Sequence, residues 1–347
     1  MKMLKNLLIL LTGGVCLTLF SCKNWDIDFP DYEGGVSVYF PYQYPVRTIV
    51  LGEDNYDTSL DNQHKCKIYA TMGGAYEGRD IKLDIAVDNT LCDNLFFEDG
   101  SSVLPMPENY YSLADNKIYF NGEHQGGVEV QLTDAFFADP AALKNTYVIP
   151  VVIKNQTGAD RILSGVPLIE GDTPVRTNSS YWDVKPMDYV LYCVKYINPY
   201  HAYYLRRGID KITENGKTTT VVRHQPNVEK DEICSTTTQT LNSVIFPVTV
   251  KHVDEAGTPT DLTCNLLLTF NEKGECAITS ASSQYTATGS GKYLKDSEKL
   301  AWGNKDRDGL YLDYQIDFKV KQVATKDTLV WQRRGVVPEE FTPKYVE

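Results

Sequence analysis

Tyr311-Leu312-Asp313-Tyr314-Gln315-Ile316-Asp317-Phe318-Lys319-Val320 sets Leu312, Tyr314, Ile316, Phe318 and Val320 against Tyr311, Asp313, Gln315, Asp317 and Lys319. An apolar residue at every second position turns one face of an extended strand to a core and the other to water, a spacing that no helix can use. The same period returns in residues 81–87, where Ile81, Leu83, Ile85 and Val87 alternate with Lys82, Asp84 and Ala86, and in Val128-Glu129-Val130-Gln131-Leu132. Between such runs stand turn signals: Asn215-Gly216 separates residues 203–213 from 218–224, and Asn271-Glu272-Lys273-Gly274 separates 262–270 from 276–279. Each pair reads as a hairpin. Residues 147–153 are almost continuously apolar, as in a strand covered on both faces, while Pro150 within them implies a bulge or a sheet edge. Asp139-Pro140 offers an N-cap followed by Pro at the first helical position, enough for a single helical turn. With 23 Tyr and strand segments rich in Thr, Val and Ile, the chain is predicted to be all-β.

The 347 residues exceed one ordinary core, at about 100 to 200 residues per domain. Residues 36–165 read as strands and turns of an Ig-like β-sandwich. Gly171-Asp172-Thr173-Pro174 and Asn178-Ser179-Ser180 mark residues 166–187 as a linker. Residues 188–347 offer roughly eight strands joined by short turns, which favours a lipocalin-like antiparallel β-barrel.

The chain opens with Lys2 and Lys5, an apolar run over residues 7–11 resumed at 15–20, and Leu19-Phe20-Ser21-Cys22. A cationic start, a short apolar stretch and a small residue before Cys resemble a bacterial lipoprotein signal, cut before Cys22 and lipidated there. Thr12, Gly13 and Gly14 leave the stretch short of the roughly 20 apolar residues of a spanning helix. Each buried methylene of an acyl chain contributes ~0.8 kcal/mol, so several chains hold a protein at the outer membrane, here expected to face the cell exterior. Residues 22–35 then form an acidic tether. Loss of residues 1–21 removes two Lys and no acid and takes the net charge from −12 to −14, a poor surface for nucleic acid.

Val38-Tyr39-Phe40-Pro41-Tyr42-Gln43-Tyr44-Pro45-Val46-Arg47, Leu60-Asp61-Asn62 running into residues 64–71, and residues 127–145 resemble the N-terminal domain called domain of unknown function 1735. The resemblance covers about residues 35–165. It implies an Ig-like sandwich in a lipoprotein of gut Bacteroidetes, of the kind encoded beside starch-utilisation-type outer-membrane glycan importers, and it carries no catalytic residues. From Tyr189-Val190-Leu191-Tyr192-Cys193 onward the chain resembles the partner domain that often follows, whose function is undefined.

Metal and triad motifs are absent from the sequence, while the many carboxylates of an acidic chain leave a glycosidase pair open. His64, His124, His201, His224 and His252 are dispersed, without H-E-x-x-H or G-x-S-x-G. Only about 160 residues follow the first domain, fewer than the ~250 of a (β/α)₈ hydrolase barrel. No cofactor motif is present. Cys66, Cys92, Cys193, Cys234, Cys264 and Cys276 lack metal-type spacing, and a hairpin at residues 271–274 sets Cys264 opposite residue 281 instead of Cys276, so buried free thiols are expected. Asn304, Asp306 and Asp308 alternate before Gly309 like the start of a calcium loop, yet position twelve is Gln315, and a tight turn reads better. Aromatic faces with adjacent polar groups are what a sugar ring needs, which singles out Tyr200, Tyr203, Tyr204, Arg206, Trp302 and Trp331. The leading expectation is a non-catalytic surface lipoprotein that binds polysaccharide or oligosaccharide for an outer-membrane importer complex. The alternatives are a structural or adhesive subunit that contacts another protein, and a lipocalin-like carrier of a small apolar ligand, which requires an apolar cavity in the barrel.

Overall fold

The computed structural model describes residues 30–253 and 257–347; Cys22, the signal segment and the first part of the tether lie outside them. The fold is all-β, in two domains, with only single helical turns between strands. Asp139 caps one of these turns as expected, accepting from Ala141 N at 2.8 Å.

In the first domain two sheets face each other. One runs in the order Arg161–Ile162, Ser37–Tyr39, Lys65–Gly73, Gln125–Leu132, Tyr111–Leu113. The other runs Glu339–Glu340, Pro45–Val50, Tyr189–Ile197, Tyr147–Thr157, Lys82–Val87, Lys117–Tyr119. Period-two alternation sends Cys66, Ile68, Ala70 and Met72 inward against Leu83, Ile85, Val151 and Val194, while Lys67, Tyr69 and Thr71 face out. Burying each larger apolar side chain stabilises the domain by roughly 1.5–3 kcal/mol. The second sheet is covered on its far face too, by Leu91, Leu95, Phe97, Val103 and Phe341, which explains why residues 147–153 are apolar on both sides.

Several sequence expectations are corrected by this topology. Pro150 sits in a central strand, not at an edge, and the bulge falls between Ile153 and Asn155. Its carbonyl accepts from Asp88 N just past the end of the neighbouring strand Lys82–Val87, and Asp88 O, the acceptor its missing N–H would have used, takes Leu91 N instead. The strand Tyr189–Ile197 belongs to the first domain, pairing antiparallel with Tyr147–Thr157 and parallel with Pro45–Val50. The boundary therefore falls at Asn198, not at residue 188. Residues 336–347 also return to the sandwich: Glu339–Glu340 pairs with Pro45–Val50, and Phe341 packs 5.0 Å from Phe97 and 5.4 Å from Tyr44 between ring centroids. Even the end of the tether is held, since Tyr32 N donates to Gly74 O and Asp31 pairs with Arg79.

The second domain is a barrel-like antiparallel meander. From Ser243–Val253 each strand pairs with the next through Pro259–Phe270, Glu275–Ser280, Thr286–Trp302, Lys305–Asp317 and Gln322–Arg333, which pairs with Tyr203–Glu214. Glu232–Ser235 pairs with Tyr203–Glu214, and Thr237–Thr240, one residue further on, pairs with Ser243–Val253. That continuous segment closes one end of the sheet. Asn215 and Gly216 both take positive φ in the expected two-residue hairpin. The quoted strand ends earlier than its alternation suggests: after Asp317, Phe318 N bonds Lys321 O in a turn, and Val320 is exposed.

The barrel interior is filled. Phe246, Leu266, Leu268, Leu312, Tyr314 and Ile316 pack at its centre. Beside them Arg206 and Arg223 share Asp327, at 3.0 and 2.6 Å, and Arg223 also holds Asp210 at 2.6 Å. Gly208 makes room for this network, because a Cβ there would stand 2.5 Å from the Asp327 carboxylate. An apolar carrier cavity has no place in such an interior. The six cysteines of the described residues are free, and burial pushes the thiols of Cys66, Cys92, Cys193, Cys234 and Cys276 up to about 12. Leu266 pairs with Ser280 and Phe270 with Cys276, which keeps Cys264 away from Cys276.

Because Phe341 fills the far face of the sandwich from the other end of the chain, Phe341→Ala should destabilise the first domain by about 3 kcal/mol. A lower urea midpoint with unchanged glycan or barrel properties is the expected reading; an unshifted midpoint contradicts this role for the tail.

Candidate functional site: the interdomain cleft

The chain crosses between domains twice, at Asn198-Pro199 and at Arg334-Gly335. Asn198 is wholly buried and uses both ends of its amide: Nδ2 donates to Thr240 O and Ser243 O at 2.8 Å, and Oδ1 accepts from Tyr200 N and His201 N at 3.0 and 3.1 Å. Arg334 is 2% exposed and clasps the first crossing, its Nη2 donating to Asn198 O at 2.5 Å and its Nη1, at 3.4 Å, to Pro199 O and Glu53 O. Burial holds this guanidinium below its ordinary pKa.

Above the clasp lies a cleft of about 310 Å³. The loop of Gly52, Glu53, Asp54 and Asn55 forms its sandwich wall; Tyr293, Lys295, Asp296, Arg307 and Trp331 are on the barrel side. Glu53 and Lys295 pair across the rim at 2.5 Å. The barrel wall comes from an irregular hairpin whose register slips twice, between Leu294 and Glu298 and between Glu298 and Trp302. At the slips Asp296 and Leu300 adopt positive φ, costly for a side chain with a Cβ. Two carboxylates offset that cost: Asp308 Oδ1 accepts from Asp296 N at 2.9 Å and Asp306 Oδ1 from Leu300 N at 3.0 Å.

Those bonds engage the carboxylates of the calcium-like pattern Asn304, Asp306 and Asp308. Asn304 lies with Gly303 in a two-residue turn, both at positive φ; the other oxygen of Asp306 pairs with Lys299, and that of Asp308 accepts from Tyr293 OH. The turn is residues 303–304, not 304–309, and the alternating carboxylates brace the bulged strand. Among the described residues no group of three or more His, Cys, Asp or Glu is placed to hold a metal.

Of the aromatic candidates, Trp331 lines the cleft with 9% of its surface exposed. Trp302 stands behind it, donating Nε1–H to Trp331 O at 2.9 Å, and Arg307 lies 3.7 Å over its ring. Tyr200 is stacked on Phe270 at 3.6 Å and supports Tyr293 edge-on at 5.3 Å. Tyr203 carries Arg333 over its face at 4.7 Å, away from the cleft lining. Tyr204 and Arg206 are corrected outright: both point into the filled barrel, Tyr204 fully buried with its hydroxyl on Tyr200 O, Arg206 7% exposed and bound to Asp327 and Tyr314. The strand from Tyr203 alternates, and these two occupy its inward positions. Sequence reasoning missed Tyr293, Lys295 and the 52–55 loop, because their meeting depends on pairing across 240 residues. Burial pushes the Tyr293 hydroxyl far above its ordinary value, aided by the neighbouring Tyr204 and Asp308, so it stays a hydrogen-bond donor.

Fold and cleft together define a two-domain all-β protein, a sandwich joined to a barrel-like sheet by a double crossing. A family model described as "Domain of unknown function (DUF5627)" matches residues 199–335, the barrel-like unit between the two crossings, and a model of an N-terminal domain matches residues 31–160. A solved protein of unknown function from Bacteroides ovatus is 42% identical, with a TM-score of 0.84 over 91% of this chain and 100% of its own. The chain belongs to the family of that protein. A second Bacteroides ovatus structure, described as a "putative carbohydrate binding protein", is 10% identical with a TM-score of 0.26 over 90% of this chain and 98% of its own, a likeness too slight to argue from. No curated protein matches.

His201 lies at the crossing, where Thr238 N donates to its Nδ1 at 3.1 Å. Burial, then the charge of Arg334, lowers its pKa from 6.5 to about 4. The unfolded chain therefore binds this proton first, and stability is lost as pH falls from the unfolded value towards the folded one. On the order of 2 kcal/mol should disappear between pH 7 and pH 4, and His201→Gln should flatten that part of the wild-type profile in urea titrations. Parallel profiles for the two proteins contradict the assignment.

Proposed function

We propose that the protein is a non-catalytic, lipid-anchored surface protein that binds a saccharide in the interdomain cleft and serves an outer-membrane glycan uptake system. One observation carries the reading: the cations Lys295 and Arg307 and the carboxylates Asp54 and Asp296 line one cleft together with Tyr293 and Trp331. A ligand that must both give and accept hydrogen bonds over an apolar ring face, as a sugar does, meets such a wall better than an apolar or strongly charged one. The volume is of the order of small-ligand sites. Asp306 and Asp308 are consumed by backbone and side-chain donors, which favours binding over hydrolysis. Lipidation at Cys22, outward exposure and kinship of the first domain with domain of unknown function 1735 rest on the sequence. The second reading, a structural subunit, is favoured by the buried Asn198–Arg334 clasp, which suits a stiff spacer as well as a receptor.

Affinity electrophoresis of the mature protein in gels containing neutral polysaccharides tests the first reading. Retardation should vanish in Trp331→Ala and weaken about tenfold in Arg307→Ala. Absence of retardation across a broad neutral panel leaves the structural reading in possession. For the anchor, Cys22→Ala should abolish palmitate incorporation and release the protein from the membrane fraction; unchanged fractionation opposes lipidation there.

A further inference from the structure

A separate groove of about 400 Å³ opens on the first domain, away from the cleft. Tyr42 and Tyr69 stand at its lips, 58% and 49% exposed, and Arg47, Lys67 and Gln125 line it with Pro45. Its charged lining residues are cations only, on a chain whose net charge is −12. Arg47 is partly matched by Asp61, which is 1% exposed and also accepts from Val50 N at 2.9 Å; Lys67 has no ion-pair partner among the described residues. Tyr69 is held flat by its cross-strand neighbour: Gly127 lies beneath the ring, and a Cβ there would stand 2.9 Å from it. One face of the tyrosine thus rests on the sheet and the other meets solvent on a rigid strand.

We infer that this groove is a second binding site, for a saccharide ring that carries an anionic substituent, a carboxylate or a sulfate ester. Ring stacking on an exposed tyrosine face supplies orientation, and Lys67 and Arg47 supply the charge complementarity that the balanced interdomain cleft lacks. The site stands independently of the cleft reading.

The test uses the full mature chain in affinity gels and calorimetry with polygalacturonate, with a sulfated glycosaminoglycan and with a neutral polysaccharide as reference. One or both acidic polymers should bind, the one that binds naming the substituent, and binding should weaken steeply between 50 and 500 mM salt, chosen as roughly a threefold change in Debye length. Lys67→Gln should lower acidic-polymer affinity about tenfold and leave the neutral polymer unaffected. Tyr69→Ala should do the same, and Tyr69→Phe should retain binding should the alanine variant melt early. Trp331→Ala should leave acidic binding unchanged, which separates this site from the cleft. Failure of both acidic polymers to bind, or equal binding by wild type and Lys67→Gln, overturns the inference.

Discussion

The structure depends on a single constraint: the chain passes between its domains twice, and both passes must be satisfied in a place that water does not reach. Asn198 is suited to that place because its amide both donates and accepts, tying two carbonyls of residues 240 and 243 to two amides of residues 200 and 201. Arg334 then joins the second pass to the first through carbonyl oxygens, with no carboxylate ion pair among the described residues. A buried guanidinium paired only with carbonyls has weaker compensation than an ion pair, yet it needs no second charge to be desolvated. The cleft exists because this junction holds the 52–55 loop and the bulged hairpin at a fixed spacing.

How far this was legible in the sequence follows from the range of the interactions. Alternation in residues 81–87, 128–132 and 311–317 records local pleating, and the two-residue turn at Asn215-Gly216 records local φ, so strands and hairpins could be read directly. The domain boundary could not. Residues 189–197 look as apolar as any barrel strand, and only their pairing with Val46 through Val50 assigns them to the sandwich. Pro150 misled because the acceptor opposite its missing N–H, Asp88 O, is satisfied by Leu91 N in the turn after the neighbouring strand, which no local pattern announces.

At the site the same division holds. The carboxylates at 306 and 308 were visible as a pattern, and the pattern was real, but its purpose was to brace bulges at 296 and 300 that have no signature of their own. Trp331 and Trp302 were legible as aromatics with polar neighbours. Tyr204 and Arg206 shared that description and point the other way, because one residue of register decides which face of a strand a side chain takes.

The filled barrel limits what the second domain can offer a ligand. Arg206, Arg223, Asp210 and Asp327 neutralise one another inside the sheet, and Tyr314 and Thr325 each donate one further hydrogen bond, to Asp327 and Asp210 respectively, at 2.8 Å. Removing one partner would leave an uncompensated buried charge, a loss of several kcal/mol in comparable networks, so the interior is committed to holding the sheet in one register. A lipocalin-like architecture is thereby separated from a lipocalin-like use. Within the second domain a ligand would be left with the rim, where the hairpin slips its register and presents side chains off the regular pleat, and the closed interior is what keeps that rim in shape.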